Sequence, residues 1–332
     1  MSTSPISTGL EKTSSTRSST FSNLFHKKPT EETGADLTNS IQDYQILKKI
    51  SGVEDISFLY LAKHIPTGKV ICLKFTDLHL STDYELIDEV INNVKNSKML
   101  KHHNIMPAFV IFVNESHLWT ATIAVYGTMR SIMSENFPYG FSEPTVATIL
   151  KEAIKGIAYI HENHMIHNDI KADNILLDLH GEVRVCGFRQ MANLQQGGHY
   201  INSTFSLVGD NIEWAAPEVM TQNSNYTQSA DIYSLGITAL ELAFNQTPFD
   251  GWPPLKILLC KTEYGCPNIR NTKQFSKNFY KFVQACVQKD AKLRYQVLSR
   301  PTIHECLEHP FFKQAKNGHF LEQVIMKQSN SG

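Results

Sequence analysis

From Tyr44 onward the chain carries apolar and polar positions in short alternating runs. Tyr44-Gln-Ile-Leu-Lys-Lys-Ile50, Phe58-Leu-Tyr-Leu-Ala62 and Lys69-Val-Ile-Cys-Leu-Lys-Phe75 read as strands, and Pro66-Thr-Gly68 supplies turn chemistry between the last two. Residues 83–100 predict a helix, and Ile105 to Ala124 gives further short strands. Past Gly127 the period lengthens. Val146, Ile149, Leu150, Ala153, Ile154, Ile157 and Ile160 recur at i, i+3 and i+4, the stripe of a helix packed on a core. Ser142 is the expected N-cap, with Pro144 in the first turn. A second apolar helix is expected from Asp231 to about Phe244, and no internal repeat is visible. The pattern predicts an α+β, bilobal protein: a small β-rich lobe over 41–126, a larger helical lobe over 127–313, and a tail over 314–332.

The first 40 residues differ. Seventeen of them are Ser or Thr and few are large and apolar, so burial cannot offset chain entropy there. Residues 1 to about 40 are expected to be a disordered tail. Elsewhere the 42% hydrophobic content suits a sizeable soluble core. With 31 basic against 32 acidic residues, the charge balance gives no sign of a nucleic-acid or membrane-surface binder. No apolar run approaches the ~18 residues of a membrane span, and Met1–Thr20 has no apolar signal-peptide region. The six cysteines are scattered without Cys-x-x-Cys spacing, which predicts reduced, mostly buried thiols in a cytosolic protein.

Candidate chemistry centres on His167-Asn-Asp-Ile-Lys-Ala-Asp-Asn174. This string resembles the protein-kinase catalytic loop, in which His-Arg-Asp is followed by an asparagine. The resemblance implies that Asp169 stands where a substrate hydroxyl proton is accepted, Lys171 where the γ-phosphate is contacted, and Asn174 where magnesium is held. Trp214-Ala-Ala-Pro-Glu218 is similar to the end of the kinase activation segment, and Asp231-Ile-Tyr-Ser-Leu-Gly236 to the helix anchoring the catalytic loop. Arg300-Pro and His309-Pro-Phe-Phe312 resemble the domain's end, where the arginine is expected to pair with Glu218. These motifs extend over residues 41–313, in order, and imply the protein-kinase fold.

Several positions depart from the family's pattern. Where kinases carry Asp-Phe-Gly, this chain reads Gly187-Phe188-Arg189, so the carboxylate that ligates magnesium is missing. Losing such a metal costs several kcal/mol of transition-state stabilisation, a rate drop of roughly 10³ or more. Gly52, Glu54 and Ser57 fall on the three glycine positions of the phosphate loop, and only the first is kept. A carboxylate at Glu54 repels phosphate by up to ~4 kcal/mol at 4 Å. Lys74 matches the third-strand lysine that contacts phosphates. Its glutamate partner falls on Asn93, leaving Glu89 one turn earlier as a substitute. Asn168 replaces the arginine that pairs with an activation-loop phosphate, so phosphorylation loses its usual ordering mechanism. Ser203, Thr204 and Ser206 are candidate phosphorylation positions, although loops are generally rich in such residues.

Gly187-Phe188-Arg189, the stretch Leu118-Trp119, Thr122 and Tyr126-Gly127, and Asp231-Ile-Tyr-Ser-Leu-Gly-Ile-Thr-Ala239 together resemble the STRAD family, the sterile-20-related adaptor pseudokinases. That resemblance implies an allosteric adaptor that binds and activates a liver-kinase-B-type (PAR-4-type) kinase. It also implies ATP held without magnesium, a helical-repeat scaffold protein as third component, a role in cell polarity or energy signalling, and a place in cytoplasm and nucleus. Gly52, Lys74, Thr122, Lys171, Asn174 and Arg189 are the expected nucleotide contacts. Two features depart from the family: Asp169, Lys171 and Asn174 are unusually kinase-like, and the chain ends Lys327-Gln-Ser-Asn-Ser-Gly332 without a Trp-Glu-Phe tail. Two readings therefore stay open at this point, a non-catalytic adaptor and an atypical serine/threonine kinase using the three catalytic-loop residues.

Overall fold

The computed structural model describes residues 34–53, 57–78, 84–193, 200–201, 211–221, 225–267, 273–288 and 300–327. Glu54, Ser203, Thr204, Ser206, most of the expected N-terminal tail and residues 328–332 lie outside them.

Strands β1 (Tyr44–Val53), β2 (Ser57–His64), β3 (Val70–Asp77), β4 (Val110–Asn114) and β5 (His117–Ile123) form one antiparallel sheet in the order β1-β2-β3-β5-β4. The period of two sorts β3 between two cores. Ile71 and Leu73 join Tyr44, Ala62, Phe112, Trp119 and Ala121 on one face. Cys72 joins Leu61 and Leu176 on the face toward the second lobe. Lys74 lies opposite Leu59 and Thr120 in the sheet. Helix α1 (Tyr84–Met99) follows β3, within one residue of the expected bounds.

The larger lobe begins with β6 (Val125–Thr128) and α2 (Met129–Asn136), followed by α3 (Glu143–Glu162) and β7 (Met165–Ile166). Strands β8 (Ile175–Asp178) and β9 (Val183–Val185) join β6 in a small sheet below the cleft. Next come α4 (Pro217–Met220), α5 (Ser229–Phe244) and α6 (Pro254–Leu259), which runs into a π-helical turn over Cys260–Tyr264. Helices α7 (Lys277–Cys286), α8 (Ile303–Glu308) and α9 (Gly318–Leu321) complete the described lobe. The predicted stripe on α3 is fully buried. Ser142 is its N-cap residue, but its hydroxyl pairs with the Thr145 hydroxyl at 2.8 Å instead of capping a backbone N–H. The core continues past residue 313: Leu321, Ile325 and Met326 are buried in it, and the Lys316 amide donates to the Thr148 hydroxyl of α3 at 2.9 Å. All six cysteines are free thiols.

Helix α5 is the centre of this lobe. Ala230 to Ala243 are all buried, as expected of a helix apolar on nearly every side. Gly236 sets how closely α7 approaches it, because a Cβ there would lie 2.7 Å from Cys286 Cβ and 2.8 Å from Val287 Cγ1. Overpacking of this kind typically costs about 1–3 kcal/mol. Gly236→Ala is expected to lower the thermal midpoint by about 2–4 °C for each kcal/mol lost, read by calorimetry.

Candidate functional site

The loop His167–Asn174 is held from below by α5. The buried Asp231 carboxylate accepts the His167 amide at 2.8 Å, the Asn168 amide at 2.9 Å and His161 Nε2 at 2.8 Å. Burial pushes this carboxyl up, but its interactions with His161 and His167 together outweigh that and hold it below its ordinary value. The His167 ring receives the Asp169 amide at Nδ1 (3.1 Å), which leaves Nε2–H to donate to the Cys186 carbonyl at 2.9 Å. Burial lowers its pKa, in keeping with a neutral ring. Asn168 sits at φ +63°, a left-handed conformation that asparagine tolerates better than most residues. Its amide donates to the Gln190 carbonyl at 3.0 Å, tying the loop to the segment after Arg189.

Within this frame Asp169 is 4% exposed and lies between two cations. Lys171 Nζ stands 3.3 Å from Oδ1 and Arg189 Nε 3.6 Å from Oδ2. Oδ1 receives no hydrogen bond. Lys171 also donates to Asn211 Oδ1 at 2.5 Å. Lys74 is half-buried on the cleft side of β3 and makes no ion pair with a described residue. Burial lowers its pKa, and the nearby Arg189 lowers it further against the pull of Cys186 and Asp169. Asn93 is half-buried on α1, and the Glu89 side chain lies outside the described residues. Helix α1 reaches the site through Asn96, whose amide donates to the Phe188 carbonyl at 3.0 Å.

The metal position is rebuilt rather than left open. Gly187 adopts φ +88°, and a Cβ there would lie 2.4 Å from both Cγ and Oδ1 of Asn174. The Asn174 amide donates to the Asp169 carbonyl at 2.6 Å. The asparagine expected to hold magnesium therefore fills the space beside the missing aspartate, and among the described residues no group of three His, Cys, Asp or Glu is placed to hold a metal ion. The residues do not fit a magnesium site. They do fit a polyanion, with Lys74, Lys171 and Arg189 around a single carboxylate.

Two other expected contacts are placed as follows. Gly52 pairs with Phe58 near the end of the β1–β2 ladder. Thr122 is buried, with its hydroxyl donating to the Pro107 carbonyl at 2.5 Å. Beside them, Ser57 donates to the Phe75 carbonyl at 3.0 Å. The expected pair of Arg300 and Glu218 is present and bidentate, at 2.5 and 2.9 Å.

Residues 44–312 match the protein kinase domain family. The chain belongs to that family. Both kinases and kinase adapter proteins are among the proteins it resembles. It is 36% identical to serine/threonine-protein kinase fray2 of Dictyostelium discoideum over 87% of this chain and 27% of that protein. It is 29% identical to germinal center kinase 3 of Caenorhabditis elegans, over 90% of this chain and 50% of the kinase. With STE20-related kinase adapter protein alpha of Gallus gallus it shares 28% identity over 82% of this chain and 81% of the adapter. The chain thus spans a quarter to a half of the length of the kinases and about four-fifths of the adapter. The likeness to STRAD proteins carried by Gly187-Phe188-Arg189 extends over most of this kinase-family chain.

Two buried ionisable residues not singled out in the sequence, Glu241 and Lys261, hold the backbone around the site of this kinase domain. Glu241 of α5 accepts the Ala172 amide and Trp214 Nε1, both at 2.9 Å. Lys261 donates to the carbonyls of Ile212, Glu213 and Ala215. The local signal was present in each case: one ionisable residue inside an apolar run, Leu240-Glu241-Leu242 and Leu258-Leu259-Cys260-Lys261.

Gly187→Asp is expected to leave magnesium affinity unimproved in titration calorimetry and to lower stability. The left-handed backbone at 187 costs a residue with a Cβ about 1–2 kcal/mol before the contact with Asn174 is counted. Burial raises the Glu241 carboxyl to about 7 from an ordinary value of 4.5. The folded state keeps its proton through that window while the unfolded state releases it, so stability falls as pH rises from 4.5 toward 7 and then levels off. Denaturant titrations across pH are expected to show this slope, on the order of 3 kcal/mol in total, reduced in Glu241→Gln.

Proposed function

We propose that this chain is a pseudokinase adaptor. It holds a nucleotide's phosphates with Lys74, Lys171 and Arg189 in place of a metal, and its large-lobe face and activation segment dock and activate a liver-kinase-B-type serine/threonine kinase. The observation that carries the reading is the Asn174 side chain beside Gly187, in the space a metal-ligating aspartate needs. The likeness to the adapter proteins over four-fifths of their length supports it. A helical-repeat scaffold protein as third component, a role in polarity or energy signalling, and a cytoplasmic and nuclear location belong to the same reading.

The atypical-kinase reading has one observation in its favour. Asp169 Oδ1 is buried and accepts no hydrogen bond, which leaves a catalytic-loop acceptor unused. Relatives described as kinases, fray2 among them, point the same way. Against it, Gly187 supplies no metal-ligating carboxylate, and the Asp169 carboxylate is engaged by Lys171 at 3.3 Å and Arg189 at 3.6 Å.

The test is the activity of a purified liver-kinase-B-type kinase with and without this chain. The adaptor reading expects a rise that survives Asp169→Ala. Phosphate transfer by the chain alone, abolished in Asp169→Ala, would establish the kinase instead. In a metal-free ATP titration, Arg189→Gly is expected to weaken binding by about tenfold, the loss of one charge-assisted hydrogen bond; an unchanged affinity would remove Arg189 from the phosphate site.

A further inference from the structure

Lys261 is fully buried in the turn after α6 and makes no ion pair with a described residue. Its ammonium donates to three backbone carbonyls, those of Ile212 at 2.8 Å, Glu213 at 2.7 Å and Ala215 at 2.7 Å. An ammonium has three N–H bonds and a neutral amine only two, so this geometry holds the charged form. The rings of Phe249 and Tyr233 face the ammonium, at 4.5 and 5.1 Å from their centroids. Cys260, Cys266, Glu213 and Arg300 are the titratable and charged groups around it. Glu213 accepts a hydrogen bond from the Thr247 hydroxyl, and Arg300 faces Glu218.

The fourth carbonyl of the stretch, that of Trp214, is taken by the Ser234 hydroxyl at 3.0 Å. Four consecutive carbonyls, 212 to 215, therefore end on donors from the lobe's interior. The same stretch is held at its start by Lys171 and Gln190 through Asn211, and in its middle by Glu241 through the Trp214 indole. These ties need no phosphate, and Asn168 offers none of the charge that a phosphate would meet. A buried cation without a carboxylate carries a desolvation cost of several kcal/mol that an apolar side chain at the same place would not. Packing alone therefore does not account for a lysine here.

We propose that Lys261 positions the stretch Asn211–Ala216, doing from inside the lobe what a phosphate–arginine pair does from outside, so that this surface is ordered without phosphorylation. That the ordered stretch is a docking surface rests on the adaptor reading; that Lys261 orders it does not.

Hydrogen exchange on the full chain, read by mass spectrometry, separates the two. In phosphatase-treated protein, the amides of 211–216 are expected to be as protected as in untreated protein. In Lys261→Met their protection is expected to fall by at least about tenfold, while the amides of α5 keep theirs. Where the methionine variant does not fold, Lys261→Gln, with two donors and no charge, is expected to lose the same protection locally. Unchanged protection in these variants, or loss of protection in the wild-type chain on phosphatase treatment, would overturn the proposal. Activation of a liver-kinase-B-type kinase is measured in parallel. Its absence with the wild-type chain rejects the adaptor reading and leaves the exchange result to decide the role of Lys261.

Discussion

The Asp231 carboxylate is the contact on which the cleft is built. It sits at the start of a helix buried along nearly all its length, and it accepts hydrogen bonds from His161 and from the consecutive amides of His167 and Asn168. Those bonds turn the chain at Asn168 into its left-handed conformation and aim Asp169 into the cleft. His167, neutral and buried, then reaches the Cys186 carbonyl and fixes where Gly187 begins. A carboxylate that is buried and fully hydrogen-bonded is expensive to disturb, since losing one partner leaves an uncompensated charge. The loop geometry is therefore preserved for reasons independent of whether any phosphate is transferred over it.

The frame is therefore compatible with the departures at Gly187 and Arg189. A glycine at 187 supplies neither the negative charge nor the Cβ of an aspartate, and its neighbours occupy the space a Cβ would need. The Asn174 side chain lies against Gly187 and bonds the Asp169 backbone. Arg189 and Lys171 converge on the Asp169 carboxylate. The electrostatic consequence is a reversal: where a kinase balances phosphate with metal ions held by carboxylates, this cleft presents protein cations around a single carboxylate.

The sequence made the frame legible and the closure of the site illegible. Strand alternation around Ile71-Cys72-Leu73 and the stripe on α3 follow from periodicity, and both lobes took the expected architecture because their apolar positions leave few alternatives. The pair of Arg300 and Glu218 was readable because two motifs fix it. The missing carboxylate at Gly187 was readable too, but not that Asn174 would fill its place, which depends on a positive φ and a contact between residues 13 apart in sequence. Ser142 shows the limit at a helix end: the residue type marks the boundary, while its hydroxyl finds the Thr145 side chain instead. Glu241 was missed because one charge in an apolar helix reads as a solvent-facing position until the fold shows that the helix has no such face. Lys261 was missed because its neighbours Leu259 and Tyr264 are exposed and nothing local marks which side of the turn faces inward.

Those two residues have a common physical logic. Each lies inside the large lobe, each is pushed by burial toward its neutral form, and each reaches the stretch before Pro217: Glu241 through the Trp214 indole and Lys261 through three carbonyls. Neither is paired with the other in a salt bridge, so neither stabilises the lobe as an ion pair would. What they share is direction: both face outward, toward backbone and indole groups that have no regular secondary structure to satisfy them. A surface made of irregular backbone needs its polar groups answered from beneath if it is to keep one shape. A core that keeps two costly ionisable side chains for that purpose gives more weight to the shape of this surface than to the stability of the lobe beneath it.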